Sequence, residues 1–276
     1  MRAIMQLFIA LAILLVPFTT GYANEIPAGN AGNKRVIVTS NTILSSMISS
    51  LLPLPRFTVE SILPAGQCPG HYDVKLSDIR KMQRADLNVI AKGTPFADKS
   101  SLAGAARLII DQGESNWMAP ASYLRGLEIL ADGLSKHFPA DKKEIRKRKE
   151  NEIRKVKDEA QALLARLKGG GILGQPVLAS SLQKEPLEWM GFRVVGEYGR
   201  AEAMSAKDFL RLVKIGREQQ VIMVVDNIQS GPDAGKGIAE TLGMPHVILT
   251  NFPSDKGYLA TLGENVEAVL AAADRK

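Results

Sequence analysis

The apolar residues of this chain fall into short runs that alternate with amphipathic stretches. Residues 35–39 form a β-branched run typical of a strand that is buried on both faces. The stretch that follows, 41–52, has its apolar residues at helical spacing: Ile43, Leu44, Met47, Ile48 and Leu51. The next predicted elements are strands at 57–62, 87–91 and 107–110 and a helix at 78–84 capped by Ser77. This alternation predicts an α/β lobe with a mostly parallel sheet.

The middle of the chain has a different pattern. Residues 120–136 predict one amphipathic helix, and a highly charged helical stretch runs from about 141 to 167 before a run of glycines. At ~1.5 Å per residue the second helix would be about 40 Å long, enough to join two lobes. The remaining predicted elements are strands at 177–179, 192–195, 221–225 and 247–249 and helices at 205–219, 233–242 and 256–274. The predicted fold class is α/β, with two lobes of mostly parallel sheet joined by a long backbone helix.

The first 23 residues carry one positive charge, then a short apolar run, then small residues ending at Ala23. This pattern predicts a cleavable signal peptide and an exported, soluble mature protein. The apolar run is shorter than the ~20 residues that a membrane-spanning helix needs, so an uncleaved anchor is the weaker interpretation. Asn24, not a cysteine, follows the predicted cleavage site, so we expect no lipid anchor. The predicted organisation is a signal peptide (1–23), a flexible leader (24–33), an N-terminal lobe (34–138), a linking helix (139–169) and a C-terminal lobe (170–276).

The formal net charge is +6, and a large share of the basic residues lies in 142–157. These residues alternate with acidic ones along one helical segment, which is typical of a solvated helix face. A nucleic-acid interface would show a clustered basic patch interleaved with aromatic residues. We therefore expect no nucleic-acid partner.

Cys68 and His71 stand three residues apart in a loop that follows a predicted strand. Such loops, at the carboxyl ends of parallel strands, are where α/β folds place ligands. A thiolate and an imidazole at this spacing can bind one ion, as in half of a zinc site. The alternative is a structural one, in which Cys68 is a small buried side chain and His71 is held by hydrogen bonds. For His137 and His246 a structural role is the favoured interpretation.

Four motifs occur in a characteristic order. They are the loop from Leu63 to Asp73 that carries His71, Leu-Ser-Asp-Ile at 76–79, Ala-Asp-Leu at 85–87 and Asn-Trp-Met-Ala-Pro at 116–120. With them, nearly all of 34–276 resembles the zinc- and manganese-type solute-binding proteins of ABC importers. The resemblance implies a metal ion bound between two lobes, an ABC permease of the inner membrane as partner, and no enzymatic activity. We also expect a monomer.

The chain departs from this family at most ligand positions. The resemblance would place the family's further ligands at Ser115, at Ser180 or Ser181, and near Asn251, and none of these side chains is a strong metal ligand. Only His71 carries over directly. The candidate metal ligands are His71, Cys68, Glu114, Glu185 and Asp226. The other cleft candidates are Ser115, Asn116, Ser181, Gln183 and Asn251.

A thiolate in place of oxygen ligands favours zinc, with copper(I) or manganese as alternative cargo. The sequence thus predicts a periplasmic binding protein that captures a transition metal ion, zinc first, and delivers it to a permease. One alternative is a degenerate family member that binds a metal chelate or a protein partner. A thiol oxidoreductase is the other, but Cys-Pro-Gly-His at 68–71 lacks the second cysteine of a dithiol cycle.

Overall fold

A computed structural model describes residues 34–96 and 106–274. The predicted signal peptide and leader lie outside these residues. The described strands form two four-stranded sheets. The first contains β1 (Arg35–Thr39), β2 (Phe57–Ser61), β3 (Leu87–Ala91) and β4 (Arg107–Ile110). The second contains β5 (Pro176–Ser180), β6 (Arg193–Tyr198), β7 (Val224–Asn227) and β8 (His246–Leu249).

The two sheets have the same topology. The strand orders are β2-β1-β3-β4 and β6-β5-β7-β8, and every pairing is parallel. Parallel neighbours require a crossover connection, and most of the crossovers here contain a helix. The α/β prediction is therefore confirmed. Because the strands of each sheet are parallel, the loops that follow them lie together at one edge of that sheet.

The helices cover the sheets and join the lobes. They are α1 (Thr42–Leu51), α2 (Leu76–Arg84), α3 (Pro120–His137), α4 (Lys142–Gly169), α5 (Lys184–Trp189), α6 (Ala206–Glu218), α7 (Lys236–Leu242) and α8 (Tyr258–Ala273). Helix α4 has 28 residues, which corresponds to a length of about 42 Å. It is the long backbone helix that the charged stretch predicts.

The prediction that Ser77 caps helix α2 is wrong. The helix begins at Leu76, so Ser77 lies inside its first turn. Asp78 Oδ2 accepts hydrogen bonds from the backbone N–H of Lys75 at 3.0 Å and from the hydroxyl of Tyr72 at 2.9 Å. The N–H groups of Asp78 and Ile79 in the first turn both donate to the carbonyl of Lys75, at 3.0 and 3.2 Å, so no serine side chain caps them.

The two lobes share one hydrophobic core. Buried residues of α1, α3, α4 and α8 belong to the same cluster as buried residues of both sheets. The rings of Tyr123 on α3 and Tyr258 on α8 stack at 3.6 Å between centroids. Tyr258 also donates its hydroxyl to the carbonyl of Met118 at 3.1 Å and its N–H to Ser46 Oγ at 3.1 Å. The C-terminal helix is thereby tied to the first lobe, which restricts large movements between the lobes.

One carboxyl group on α4 works against stability at neutral pH. Burial raises the pKa of Glu152, and the nearby Lys155 opposes this only in part. An acid with a raised folded-state pKa favours folding when it is protonated, and this contribution is lost as the pH rises through that pKa. We expect Glu152→Gln to stabilise the protein near pH 7 by less than about 1 kcal/mol, since the carboxylate is still partly solvated.

Calorimetric unfolding across the acidic range checks this prediction. The gain should shrink as the pH falls, because Glu152 then becomes neutral in the parent protein as well. Glu150→Gln is the matched control, since Glu150 is exposed on the same helix and pairs with Arg146 at 3.2 Å. A gain of equal size in the control would contradict the burial argument.

Candidate metal centre

Loops at the carboxyl ends of strands from both sheets line a cleft of about 440 Å³ between the lobes. They include the segments that follow β4, β5, β6, β7 and β8. Most of the predicted site residues lie in this lining: Glu114, Ser115, Asn116, Ser181, Glu185 and Asn251. The structure therefore brings these side chains together, as the position of loops in parallel sheets predicts.

Cys68 and His71 lie beside this cleft, in the wall of a neighbouring cavity of about 290 Å³. Residues Pro69–His71 form one turn of 3₁₀ helix, and the N–H of His71 donates to the carbonyl of Cys68 at 3.2 Å. Residues three apart in such a turn lie on the same side. The two atoms that could bind a metal ion, Cys68 Sγ and His71 Nδ1, consequently face one common position.

The guanidinium of Arg200 occupies that position. Arg200 lies just after β6 in the second lobe, and its Nη2 donates to Cys68 Sγ at 2.7 Å. Its Nη1 lies 3.3 Å from His71 Nδ1. Arg200 also lines both the main cleft and the neighbouring cavity. One permanent cation therefore joins the two candidate ligands and stands between the two cavities.

Cys68 has the electrostatic surroundings of a stabilised thiolate. Burial alone would raise the pKa of its thiol, but hydrogen bonds from Arg200 and from the backbone N–H groups of Gly70 and His71 lower it. The net effect is a pKa below the ordinary value for cysteine. A thiolate is the form of cysteine that binds metal ions, so this loop favours the reactive form.

Glu185 and Asn116 connect the lobes across the cleft. The backbone N–H of Asn116 donates to Glu185 Oε2 at 2.5 Å, and Ser122 Oγ donates to Glu185 Oε1. The side chain of Asn116 donates to the carbonyl of Leu182 at 2.6 Å. Both carboxylate oxygens of Glu185 thus already accept hydrogen bonds, and a metal ion would have to displace one of these donors.

Two glutamines form a second polar connection at the cleft. Gln183 is buried and donates to Asn251 Oδ1 at 2.9 Å. The N–H of Asn251 donates to Gln229 Oε1 at 3.0 Å, and Gln229 Nε2 donates to the carbonyl of Ala65 at 2.6 Å. Gln229 therefore links the second lobe to the loop that carries Cys68.

The structure does not bring Asp226 to the other candidates. Its Oδ2 accepts from the N–H of Gly235 at 2.8 Å and lies 2.6 Å from His246 Nε2. The next residue on β7, Asn227, lines the main cleft instead. Both residues are fully buried. Successive side chains on a strand point to opposite faces, so a single step along β7 separates a residue beside the cleft from one that contacts Gly235 and His246.

Within residues 34–96 and 106–274, no three His, Cys, Asp or Glu side chains are grouped closely enough to hold a metal ion. Metal ligation by the predicted residues accordingly remains a prediction. Arg200 and Gln229 are the site residues that sequence reasoning missed. Both residues follow a strand of the second sheet, and this position indicates a place near the ligand site. Neither residue type suggests a metal ligand.

Two parallel α/β lobes, a long connecting helix and a cleft lined by loops of both lobes define a solute-binding protein of the ABC-importer class. The family model of ZnuA, the periplasmic component A of a zinc-uptake complex, matches residues 37–272. The chain belongs to this family, whose members are transport binding proteins and not enzymes. In the described part of the chain, none of the helices combines the length and apolar character that crossing a membrane requires.

Solved structures show the same fold. A Mn-bound periplasmic metal binding protein from Candidatus Liberibacter asiaticus aligns with a TM-score of 0.73 and 16% identity, covering 87% of this chain and 100% of that one. Its Cd-bound form aligns with a TM-score of 0.74 and 15% identity over the same shares. A ZnuA crystal structure aligns with a TM-score of 0.73 and 14% identity, again covering 87% and 100%. Among curated proteins no relative matches the sequence.

Proposed function

We propose that this chain captures a transition metal ion beside the inter-lobe cleft and delivers it to an ABC permease of the inner membrane. Zinc is the favoured ion. The observation that carries the proposal is that Cys68 Sγ and His71 Nδ1 both contact one positively charged group, the guanidinium of Arg200. A thiolate and an imidazole nitrogen are ligands that zinc and copper(I) prefer, whereas manganese prefers oxygen. Membership in a family of periplasmic uptake proteins supports the transport role.

The remaining ligands would come from the adjoining cleft. Glu114 and Glu185 supply carboxylates in its lining, and Asn251 supplies an amide oxygen. A zinc ion held by Cys68 and His71 needs two further ligands for its usual tetrahedral geometry. Glu114 is the more available carboxylate, because Glu185 already accepts hydrogen bonds at both oxygens.

Zinc titration of the reduced, metal-free protein tests the proposal. We expect zinc to raise the unfolding temperature, because a ligand that binds only the folded state adds stability, about 2.7 kcal/mol at a hundredfold excess over the dissociation constant. Cys68→Ser and His71→Ala should each lose most of this gain. His137→Ala is the matched control, since His137 is the last residue of α3 and lies outside both cavities.

The size of the cleft favours a second candidate cargo, a metal ion already bound by a small chelator. Its volume of about 440 Å³ far exceeds that of a bare ion and falls in the usual range of small-molecule sites, about 300–1,000 Å³. In this case Cys68 and His71 would complete the coordination of the complexed metal. Repeating the titration with zinc citrate distinguishes the two, because stronger stabilisation by the complex than by free zinc favours the chelate. No response to either would contradict both proposals.

A further inference from the structure

We propose that Arg200 is a built-in competitor of the cargo ion: its guanidinium holds the position between Cys68 and His71 and must swing away before a metal ion binds there. This inference rests on the proposed metal site and identifies the residue that regulates it.

The hydrogen bonds of Arg200 use the same electron pairs that a metal ion would use. Arginine nitrogens only donate hydrogen bonds, so Cys68 Sγ at 2.7 Å and His71 Nδ1 at 3.3 Å both act as acceptors. His71 Nδ1 has a single lone pair, which is not available for coordination while it accepts this hydrogen bond, whereas the sulfur of Cys68 has further lone pairs. The guanidinium also carries a permanent positive charge, which repels a divalent cation at this range. Arginine and metal therefore exclude each other by lone pair at His71, and by space and charge at both residues.

Arg200 has a route out of the site and a partner to receive it. Its side chain is 34% exposed, and its Nη1 lies 3.9 Å from Oε1 of Glu202, whose side chain is 64% exposed. A rotation of the Arg200 side chain towards solvent would keep its charge next to Glu202. Such a movement requires no separation of the lobes, which suits a fold whose two halves share one core.

The departure of Arg200 would also open the site to further ligands. Cys68 and His71 line one cavity, Glu114 and Glu185 line the other, and Arg200 lines both. Without the guanidinium, the sulfur of Cys68 and the Nδ1 of His71 would face the carboxylates of the main cleft. The residue that blocks the ion thus also separates the two halves of its potential coordination shell.

A purely structural role makes the opposite prediction. Arg200 connects the loop after β6 in the second lobe to the loop after β2 in the first. If it acted only as a link, its removal would loosen the site and weaken metal binding or leave it unchanged. A gain in affinity can therefore be assigned to the loss of competition.

Zinc dissociation constants of the reduced protein, measured by competition with a fluorescent zinc indicator, separate these roles. We expect Arg200→Gln to bind zinc at least about tenfold more tightly, since a binding-competent state populated at roughly 10% or less weakens apparent affinity by that factor. Arg211→Gln is the matched control, an exposed arginine of α6 that pairs with Asp208 at 3.7 Å.

Each pattern of results decides one question. Tighter binding by Arg200→Gln, with the control unchanged, supports the competitor, and so does zinc binding that appears only in this variant. Equal or weaker binding by a folded Arg200→Gln protein, beside measurable binding by the parent, overturns the competitor and leaves the proposed function intact. Absence of zinc binding in both proteins overturns the metal site itself. Arg200→Lys, which keeps the charge but has a single nitrogen, should fall between parent and Arg200→Gln, and provides the comparison if the glutamine variant does not fold.

Discussion

Asp226→Ala is expected to destabilise the protein by about 2–6 kcal/mol, because two polar groups lose their hydrogen-bond acceptor, at about 1–3 kcal/mol each. Asp226 is fully buried, and its Oδ2 serves both the N–H of Gly235 and the ring of His246. Alanine would leave the Gly235 N–H without its acceptor and His246 without its charged partner. Urea unfolding near neutral pH, followed by circular dichroism, measures the difference.

Asp226→Asn distinguishes the contribution of the negative charge to stability from that of the side chain's size and hydrogen bonding. Asparagine has the same size and keeps an oxygen that can accept from Gly235, so we expect a smaller loss of about 1–2 kcal/mol. Equal losses in the two variants would mean that the negative charge beside His246 provides most of the stabilisation. A loss below about 1 kcal/mol in Asp226→Ala would contradict the structural role, because a buried acceptor of two polar groups contributes more than that.

Tyr258→Ala is expected to lower the free energy of unfolding by a similar amount, about 3–5 kcal/mol, as for other large aromatic side chains removed from a core. Tyr258 is 2% exposed and stacks on Tyr123 at the junction of the lobes. Its removal would leave a cavity between α3 and α8 and would break the hydrogen bond to Met118. The same urea unfolding experiment measures the loss.

Tyr258→Phe is the matched control for that cavity. Phenylalanine keeps the stacked ring and loses only the hydroxyl that donates to the carbonyl of Met118, so the loss should be about 1 kcal/mol. The backbone N–H to Ser46 remains in both variants. If the phenylalanine variant lost as much as the alanine variant, ring packing would not be what joins α8 to the first lobe.

Much of the candidate site was predictable because loops after parallel strands meet at one edge of a sheet. Glu114, Ser115 and Asn116 follow β4, Ser181 and Glu185 follow β5, and they line one cleft as expected. The three-residue spacing of Cys68 and His71 likewise predicted their common direction, and the 3₁₀ turn provides it. In each case a short-range pattern was sufficient, because the strand or turn itself fixes where the side chain lies.

Other parts of the site depended on contacts that no local pattern contains. Asp226 and Asn227 are adjacent polar residues on β7, and only the packing of that sheet decides which one faces the cleft. Arg200 lies 129 positions along the chain from His71, yet its guanidinium fills the place where the sequence predicted a metal ion. Nothing in the residues around Arg200 indicates that partner.

The sequence by itself determined the α/β alternation, the long backbone helix and the thiol–imidazole pair, because apolar periodicity and residue spacing act within a few positions of the chain. Only the tertiary structure decided what that pair faces. Two lobes pack against each other through one core, and this packing brings a loop of the second lobe, with its arginine, onto a loop of the first. The positive charge between Cys68 and His71 is therefore a property of the folded molecule. The same packing decides whether a metal ion enters freely or must first displace Arg200.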